Sequence, residues 1–348
     1  MERRLIGEQR PRPPRFRDIA EEAGVGTATV ERVLNGRGNV TPKTSQRVIA
    51  AARKLGYDRA LPSLYHSSIR IGVVLVRPET PFFARLNLAF QKLAPTLDRS
   101  IILYRTFAEE NTPDEVARRI ESAASEREAL IVVVQDHPLV IEALQAVDRR
   151  NVPLVLLVSD VGYGGRALYV GIDNESAGRT AGYFMRNALR GRSGNVVSLC
   201  HSGAYLTHRQ RTIGFSQYFG DPDDRVIFKQ CLETRDSEER ARIVMSEALR
   251  ADPDIVGIYN AGGGNAGVSE ALERHRRPGD VIYIGHELSA ATRRSLEKGV
   301  MLLTIDQVPE LQARRAVETI ETLIGLRDGA PDRSPIPFRI ITPENLPG

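Results

Sequence analysis

The sequence predicts a small all-α helix-turn-helix headpiece followed by a two-lobed, doubly wound parallel-sheet α/β domain. Three observations carry that prediction. Helical apolar periodicity punctuated by glycine occupies residues 16–57, ten short apolar runs alternate with amphipathic stretches from Ile69 onward, and charge is unevenly divided. Residues 1–70 hold 14 Lys and Arg against 7 Asp and Glu; the 348-residue chain holds 48 against 44, so the remainder is slightly acidic. A basic module joined to a mildly acidic body points to a polyanionic partner for the first part alone.

Residues 1–15 (MERRLIGEQRPRPPR) read as a disordered basic arm able to add phosphate contacts. They hold no apolar run of signal-peptide length, and no stretch of 18 apolar residues follows, so neither export nor membrane spanning is expected and a cytoplasmic protein is. Cys200 and Cys231 form no CxxC pair and are too few for a disulfide framework, which suits a reducing compartment and reads as two inert thiols. No metal is expected at Cys200-His201 or His286, where companion ligands at suitable spacing are lacking.

In the headpiece, Ile19, Ala20 and Ala23 share a helical face that Gly24 terminates. A second helix from Thr27 turns Val30, Val33 and Leu34 inward and Thr27, Ala28, Glu31 and Arg32 outward, closing at Asn35-Gly36. A third begins at Thr41-Pro42 and buries Val48, Ile49, Ala52 and Leu55 before Gly56. Two helices joined by a glycine turn, the second with small and basic side chains near its start, suit the major groove of DNA. Arg32 can reach guanine edges, and the methyls of Thr27 and Ala28 a thymine. Thr29, Asn35, Lys43, Thr44 and Arg47 have the chemistry of phosphate anchors. The alternative is a helical bundle with a solvated charged face.

The ungapped run from Phe16 to Tyr57, with Ala23-Gly24-Val25, Val33-Leu34-Asn35 and Leu55-Gly56-Tyr57 as landmarks, resembles the headpiece of the lactose-repressor (LacI/GalR) family. The resemblance implies base reading by Thr27, Ala28 and Arg32, double-stranded operator DNA as partner, and a homodimer or tetramer. Two positions depart from it: Gly26 stands where a capping Ser is usual, and Glu31 where Ser precedes the arginine. The segment 58–69 takes the place of the family's hinge helix, shortened by two or three residues and interrupted by Pro62. Leu61 and Leu64 are its candidates for a minor-groove wedge, Leu64 preferred, an ordinary linker leucine being the alternative.

From residue 70 to 348, runs such as IRIGVVLV, ALIVVVQ, VPLVLLV and IVGIYN alternate with helical stretches, as in parallel sheets covered on both faces. Two lobes are expected, about 70–172 with 306–334 and about 173–303 with 337–348. Their crossings fall near Val170–Asp173, Leu303–Gln307 and Pro335–Arg339. Ligands then bind between the lobes, beyond the carboxyl ends of the strands. This body resembles the type I periplasmic-binding-protein fold. Pro81-Phe82-Phe83, Arg211-Thr-Ile-Gly214-Phe215 and Thr304-Ile305-Asp306-Gln307 carry the resemblance, which implies a sugar or polyol effector. Phe82 and Phe83 would stack on it, though such a pair also suits a helix core. Arg211 would donate to hydroxyls, Asp160 and Glu287 accept from them, and Gln307 do both at the hinge. Asp160 also suits a loop cap, and Asn260 precedes a glycine turn near the cleft.

Gly262-x-Gly264-x-x-Gly267, after an apparent strand and with Glu287 twenty residues on, has the form of a dinucleotide fingerprint. It raises a rival reading, an NAD(H)-binding redox sensor or dehydrogenase. The motif lies in the eighth repeat of the body and no catalytic His/Asp or Tyr/Lys set accompanies it. A secreted solute-binding protein would not need the headpiece. The sequence therefore predicts a regulator, not an enzyme, that needs no cofactor.

Overall fold

The computed structural model describes residues 14–35, 40–57, 68–76, 80–109, 112–202, 205–220, 225–276 and 279–347. The chain forms two compact units, 1–69 with 98–102 and 70–97 with 103–348.

The first unit holds α1 (Phe16–Ala23), α2 (Thr27–Leu34) and α3 (Pro42–Lys54). Asp18 accepts the Arg15 backbone N–H at 2.7 Å at the start of α1, and Gly24, at φ 61°, ends it in the left-handed conformation. Ile19, Val30, Val33, Val48, Ile49 and small alanines make the core, against which Phe16, Val25, Leu34, Val40 and Tyr57 pack. One expected core residue is displaced: Leu55 is 36% exposed. Lys54 is the last residue of α3, and the buried face is already filled by Ala51 and Ala52.

The second unit contains two sheets. The first has the order β2-β1-β3-β4-β5, from β1 (Ile69–Val76), β2 (Ile101–Ala108), β3 (Ala129–Val132), β4 (Leu154–Leu157) and β5 (Leu168–Val170). The second has the order β11-β10-β9-β8-β6-β7. Its strands are β6 (Gly194–Cys200), β7 (Val226–Glu233), β8 (Ile255–Asn260), β9 (Ile282–His286), β10 (Leu303–Asp306) and β11 (Arg339–Ile341). All ten apolar runs become strands. β3 and β4 are buried throughout, as covering both faces requires, whereas the edge strands β2 and β7 alternate with exposed positions. β11 is a strand beyond those ten; it pairs antiparallel with β10, Thr304 opposite Ile341.

The helices are α4 (Pro81–Leu93), α5 (Pro113–Glu126), α6 (Pro138–Arg149), α7 (Asn174–Ala188), α8 (Leu206–Ser216), α9 (Glu238–Ala251), α10 (Asn265–His275), α11 (Ala290–Glu297) and α12 (Pro309–Leu323). Four open on proline, whose fixed φ and missing N–H suit a first turn. The chain leaves the first sheet after β5 and builds the second through β10. It then returns to lay α12 against α4 and β3–β5, before β11 rejoins the second sheet. Two glycines let α7 and α8 meet closely. A Cβ at Gly178 would stand 2.0 Å from the Arg211 carbonyl oxygen, and one at Gly214 would stand 2.2 Å from that of Glu175. That contact fixes where Arg211 enters the space between the sheets.

Candidate effector cleft and DNA-reading helix

A cleft opens between the lobes, where strand carboxyl ends and helix starts converge. Phe82 and Phe83, in the first turn of α4, form one wall. Both are half-buried with ring centroids 5.1 Å apart at 72°, while Leu86, Ala89 and Phe90 serve the core. Ser159 follows β4 on the same side.

Opposite them, Arg211 is buried and held at three points. Nε donates to Asn174 Oδ1 at 2.8 Å, one terminal nitrogen to the Ala261 carbonyl at 2.8 Å, and the other to Gln307 Oε1 at 2.7 Å. Gln307 Nε2 in turn donates to Glu287 Oε1. The amide of Gln307 is thereby oriented, and α8, the β10–α12 crossing and the end of β9 join in one chain of hydrogen bonds. Glu287 sits at φ 69°, fixed by its N–H to the Ile305 carbonyl (2.9 Å) and by its own carbonyl, which accepts from Thr292 and Thr304. Its Oε2 is buried with no hydrogen-bond partner among the described residues. Burial, reinforced by the charge of Asp306, pushes its carboxyl up to about 8. Next to it, His286 bonds Tyr259 Oη at 2.7 Å, and burial holds the imidazole well below its ordinary range, hence neutral.

Of the seven residues expected to bind an effector, Phe82, Phe83, Arg211, Glu287 and Gln307 line this cleft and two do not. Asp160 is exposed, and its carboxylate accepts the N–H of Val161 at 2.8 Å, a local loop cap. Asn260 is buried behind the wall: Oδ1 accepts from Gly262 N, and Nδ2 donates to the Gly263 carbonyl and to Asn265. Asn260 thus shapes the glycine turn instead of facing a ligand. Tyr205, His208, Asp236, Glu238 and Asn265 are lining residues that sequence reasoning missed. Asp236 and Glu238 come directly after β7, so the strand-end rule was the signal that could have found them.

The same carboxylates answer the dinucleotide reading. Gly263 N donates to Asp236 Oδ1 and Gly267 N to Glu238 Oε2, both at 2.8 Å. The donors that would hold a pyrophosphate are therefore occupied, by acids that would repel one. Gly267 answers a packing need, since a Cβ there would lie 1.9 Å from the Glu238 carbonyl oxygen.

Among the described residues, two ion-paired ties cross the cleft. Arg85 of α4 reaches the Leu288 carbonyl at 3.1 Å and pairs with Asp306 and Glu310, and Arg209 of α8 pairs with Asp136 beyond β3 at 2.9 Å.

In the first unit, Thr27, Ala28, Arg32 and Asn35 of α2 and its end are exposed on one face, with Thr29 half-buried. Gly26 caps α2 without a side-chain hydrogen bond. Thr41 caps α3, its hydroxyl accepting Thr44 N at 3.3 Å and meeting Thr44 Oγ1 at 2.9 Å; Arg47 is exposed. The Lys43 side chain, Leu61 and Leu64 lie outside the described residues.

Residues 15–60 match the family described as bacterial regulatory proteins, lacI family, and residues 71–327 match the periplasmic binding protein domain. The chain belongs to the LacI/GalR family. Its relatives include the transcriptional repressor PurR of Mannheimia succiniciproducens, 32% identical over 118 residues, 32% of this chain and 34% of that protein. The ribose import binding protein RbsB of Escherichia coli is 23% identical over 255 residues, 73% of this chain and 84% of that one. A glucose-galactose binding protein of Geobacillus stearothermophilus, GanP, superposes with a TM-score of 0.71 at 21% identity, over 81% of this chain and 99% of that chain. Against the first three curated relatives this LacI/GalR chain spans between 28% and 62% of their length. Among the described residues no helix is long and apolar enough to cross a membrane.

Proposed function

We infer that the protein is a DNA-binding transcription regulator, not an enzyme, that reads operator DNA with α2 and answers to a sugar-like effector in the cleft. The observation that carries the effector half is the Arg211–Gln307–Glu287 chain, which ends in a buried carboxyl oxygen with no hydrogen-bond partner among the described residues, in the cleft that Phe82 and Phe83 also line. Aromatic faces suit the C–H surfaces of a pyranose, and a carboxyl held by one oxygen leaves the other for a hydroxyl. Family membership supports the DNA half, together with the exposed face of Thr27, Ala28 and Arg32. The regulator works as a cytoplasmic homodimer, placing two α2 helices in successive major grooves of a near-palindromic site.

Thermal unfolding of the full chain against pentoses, hexoses, inositols, sugar phosphates, purines and NAD(H) tests the cleft. A ligand at a hundred times its dissociation constant stabilises the native state by about 2.7 kcal/mol. A rise in Tm with one sugar or polyol is expected. A rise with NAD(H) alone would contradict the reading.

A further inference from the structure

Cys200 and Cys231 are the two cysteines of the chain. Cys200 ends β6 and Cys231 lies on the neighbouring edge strand β7, and their sulfur atoms are 3.1 Å apart. In the parallel register Ser198 stands opposite Cys231 and Cys200 opposite Glu233, so the thiols meet on the diagonal. Cys200 is buried and Cys231 half-buried. Cys231, the more exposed of the two, is the one a solvent-borne oxidant reaches first, and the hydrogen bond between the thiols acts in the same direction, lowering Cys231 and raising Cys200.

We propose that Cys200 and Cys231 are a hydroperoxide-oxidisable dithiol whose reversible disulfide joins β6 to β7 and alters the effector cleft. The Cys231 thiolate attacks the distal oxygen of a hydroperoxide. An S–O bond forms as O–O breaks, and the departing oxygen takes a proton to leave as water or an alcohol. Cys200 sulfur then attacks Cys231 sulfur. The S–S bond forms as S–O breaks, and the released hydroxide leaves as water with the Cys200 proton. Two electrons pass from the dithiol to the peroxide.

Bonding draws the sulfurs from 3.1 Å to about 2.04 Å. Both strands run on into the cleft wall. Thr234 donates to the Cys200 carbonyl through N and Oγ1, Arg235 N donates to the His201 carbonyl, and Asp236 comes next in the cleft wall. His201 N donates to Nδ1 of His208, another lining residue, at 3.2 Å. On the third side, Thr212 Oγ1 lies 3.7 Å from Cys231 sulfur and is the α8 neighbour of Arg211. The disulfide itself stands on the sulfur geometry; its effect on ligand binding rests on the effector reading above.

The reduced full chain is treated with hydrogen peroxide, alkylated in denaturant and peptide-mapped. Both thiols should disappear together into one intrachain cross-linked peptide, and dithiothreitol should restore them. In C200S, dimedone should trap a sulfenic acid at Cys231, whereas Cys200 in C231S should react several-fold more slowly. Cross-links only between chains, over-oxidation of Cys231 with Cys200 left free, or equal reactivity in the two variants would overturn the proposal. Affinity for the ligand found by thermal unfolding should differ several-fold between reduced and oxidised protein. Equal affinity would overturn the coupling while leaving the disulfide. A panel that yields no ligand overturns the effector reading and the coupling with it, and the peptide map still decides the dithiol.

Discussion

The reading face of α2 and the floor of the cleft differ in how their side chains are held. Arg32 is exposed on a helix whose cap, Gly26, offers no side-chain hydrogen bond. Arg211 is buried, with donors fixed on Asn174, Ala261 and Gln307 before any ligand arrives. A face that must fit a groove can leave its arginine to find a partner there. A pocket that must discriminate a small molecule needs its groups preorganised, because ordering them on binding would subtract from affinity. The two arginines therefore have different costs of removal.

That contrast is broken most easily at Arg211. R211A should destabilise the second unit by about 2–5 kcal/mol in urea unfolding, since it strands buried polar partners, and should abolish the response to effector while operator binding persists. A mutant of normal stability and response would remove Arg211 from the cleft account.

Next in size is the pH dependence of Glu287. Its folded carboxyl is held near 8 against an ordinary 4.5, so the folded state keeps a proton that the unfolded chain releases. This contribution is complete below about pH 4.5 and is lost as pH rises through about 8, amounting to a few kcal/mol at most. E287Q should flatten that decline, so the Tm of the variant gains on that of the natural chain between pH 5 and pH 8. Parallel Tm curves would show that the buried oxygen is solvated.

R32A should cost about 1–3 kcal/mol in operator affinity and relax preference at one base, with Tm unchanged because the side chain is exposed. Unchanged specificity would remove Arg32 from the reading set. Smallest is G26S, which should stabilise α2 by a few tenths of a kcal/mol through a new cap, read as a slightly later headpiece transition by circular dichroism. No gain would mean that a serine there cannot reach the helix N–H groups.

Legibility tracked the range of the interactions. Gly24 and the Thr41-Pro42 start are local devices and were readable, as were ten apolar runs. Phe82, Arg211, Glu287 and Gln307, which the structure places along the cleft, were marked by short motifs at the start of α4, within α8, after β9 and after β10. Asp236 and Glu238 were legible only in part: the strand-end rule marks the β7–α9 connection, but what selects these two carboxylates is the placement of β7 beside β6 and their hold on Gly263 and Gly267 about thirty residues later. Asp160 failed for the opposite reason, a loop whose own backbone satisfies it. The meeting of Cys200 and Cys231 likewise depends on strand order, which spacing alone does not encode.

If effector cleft and reading helix are coupled through one chain, operator titration with and without the ligand identified by thermal unfolding shows it most directly. Fluorescence anisotropy on a labelled operator should show a several-fold or larger change in Kd, a coupling of roughly 1–3 kcal/mol in either direction. An operator Kd unmoved by a ligand that demonstrably occupies the cleft would contradict the account.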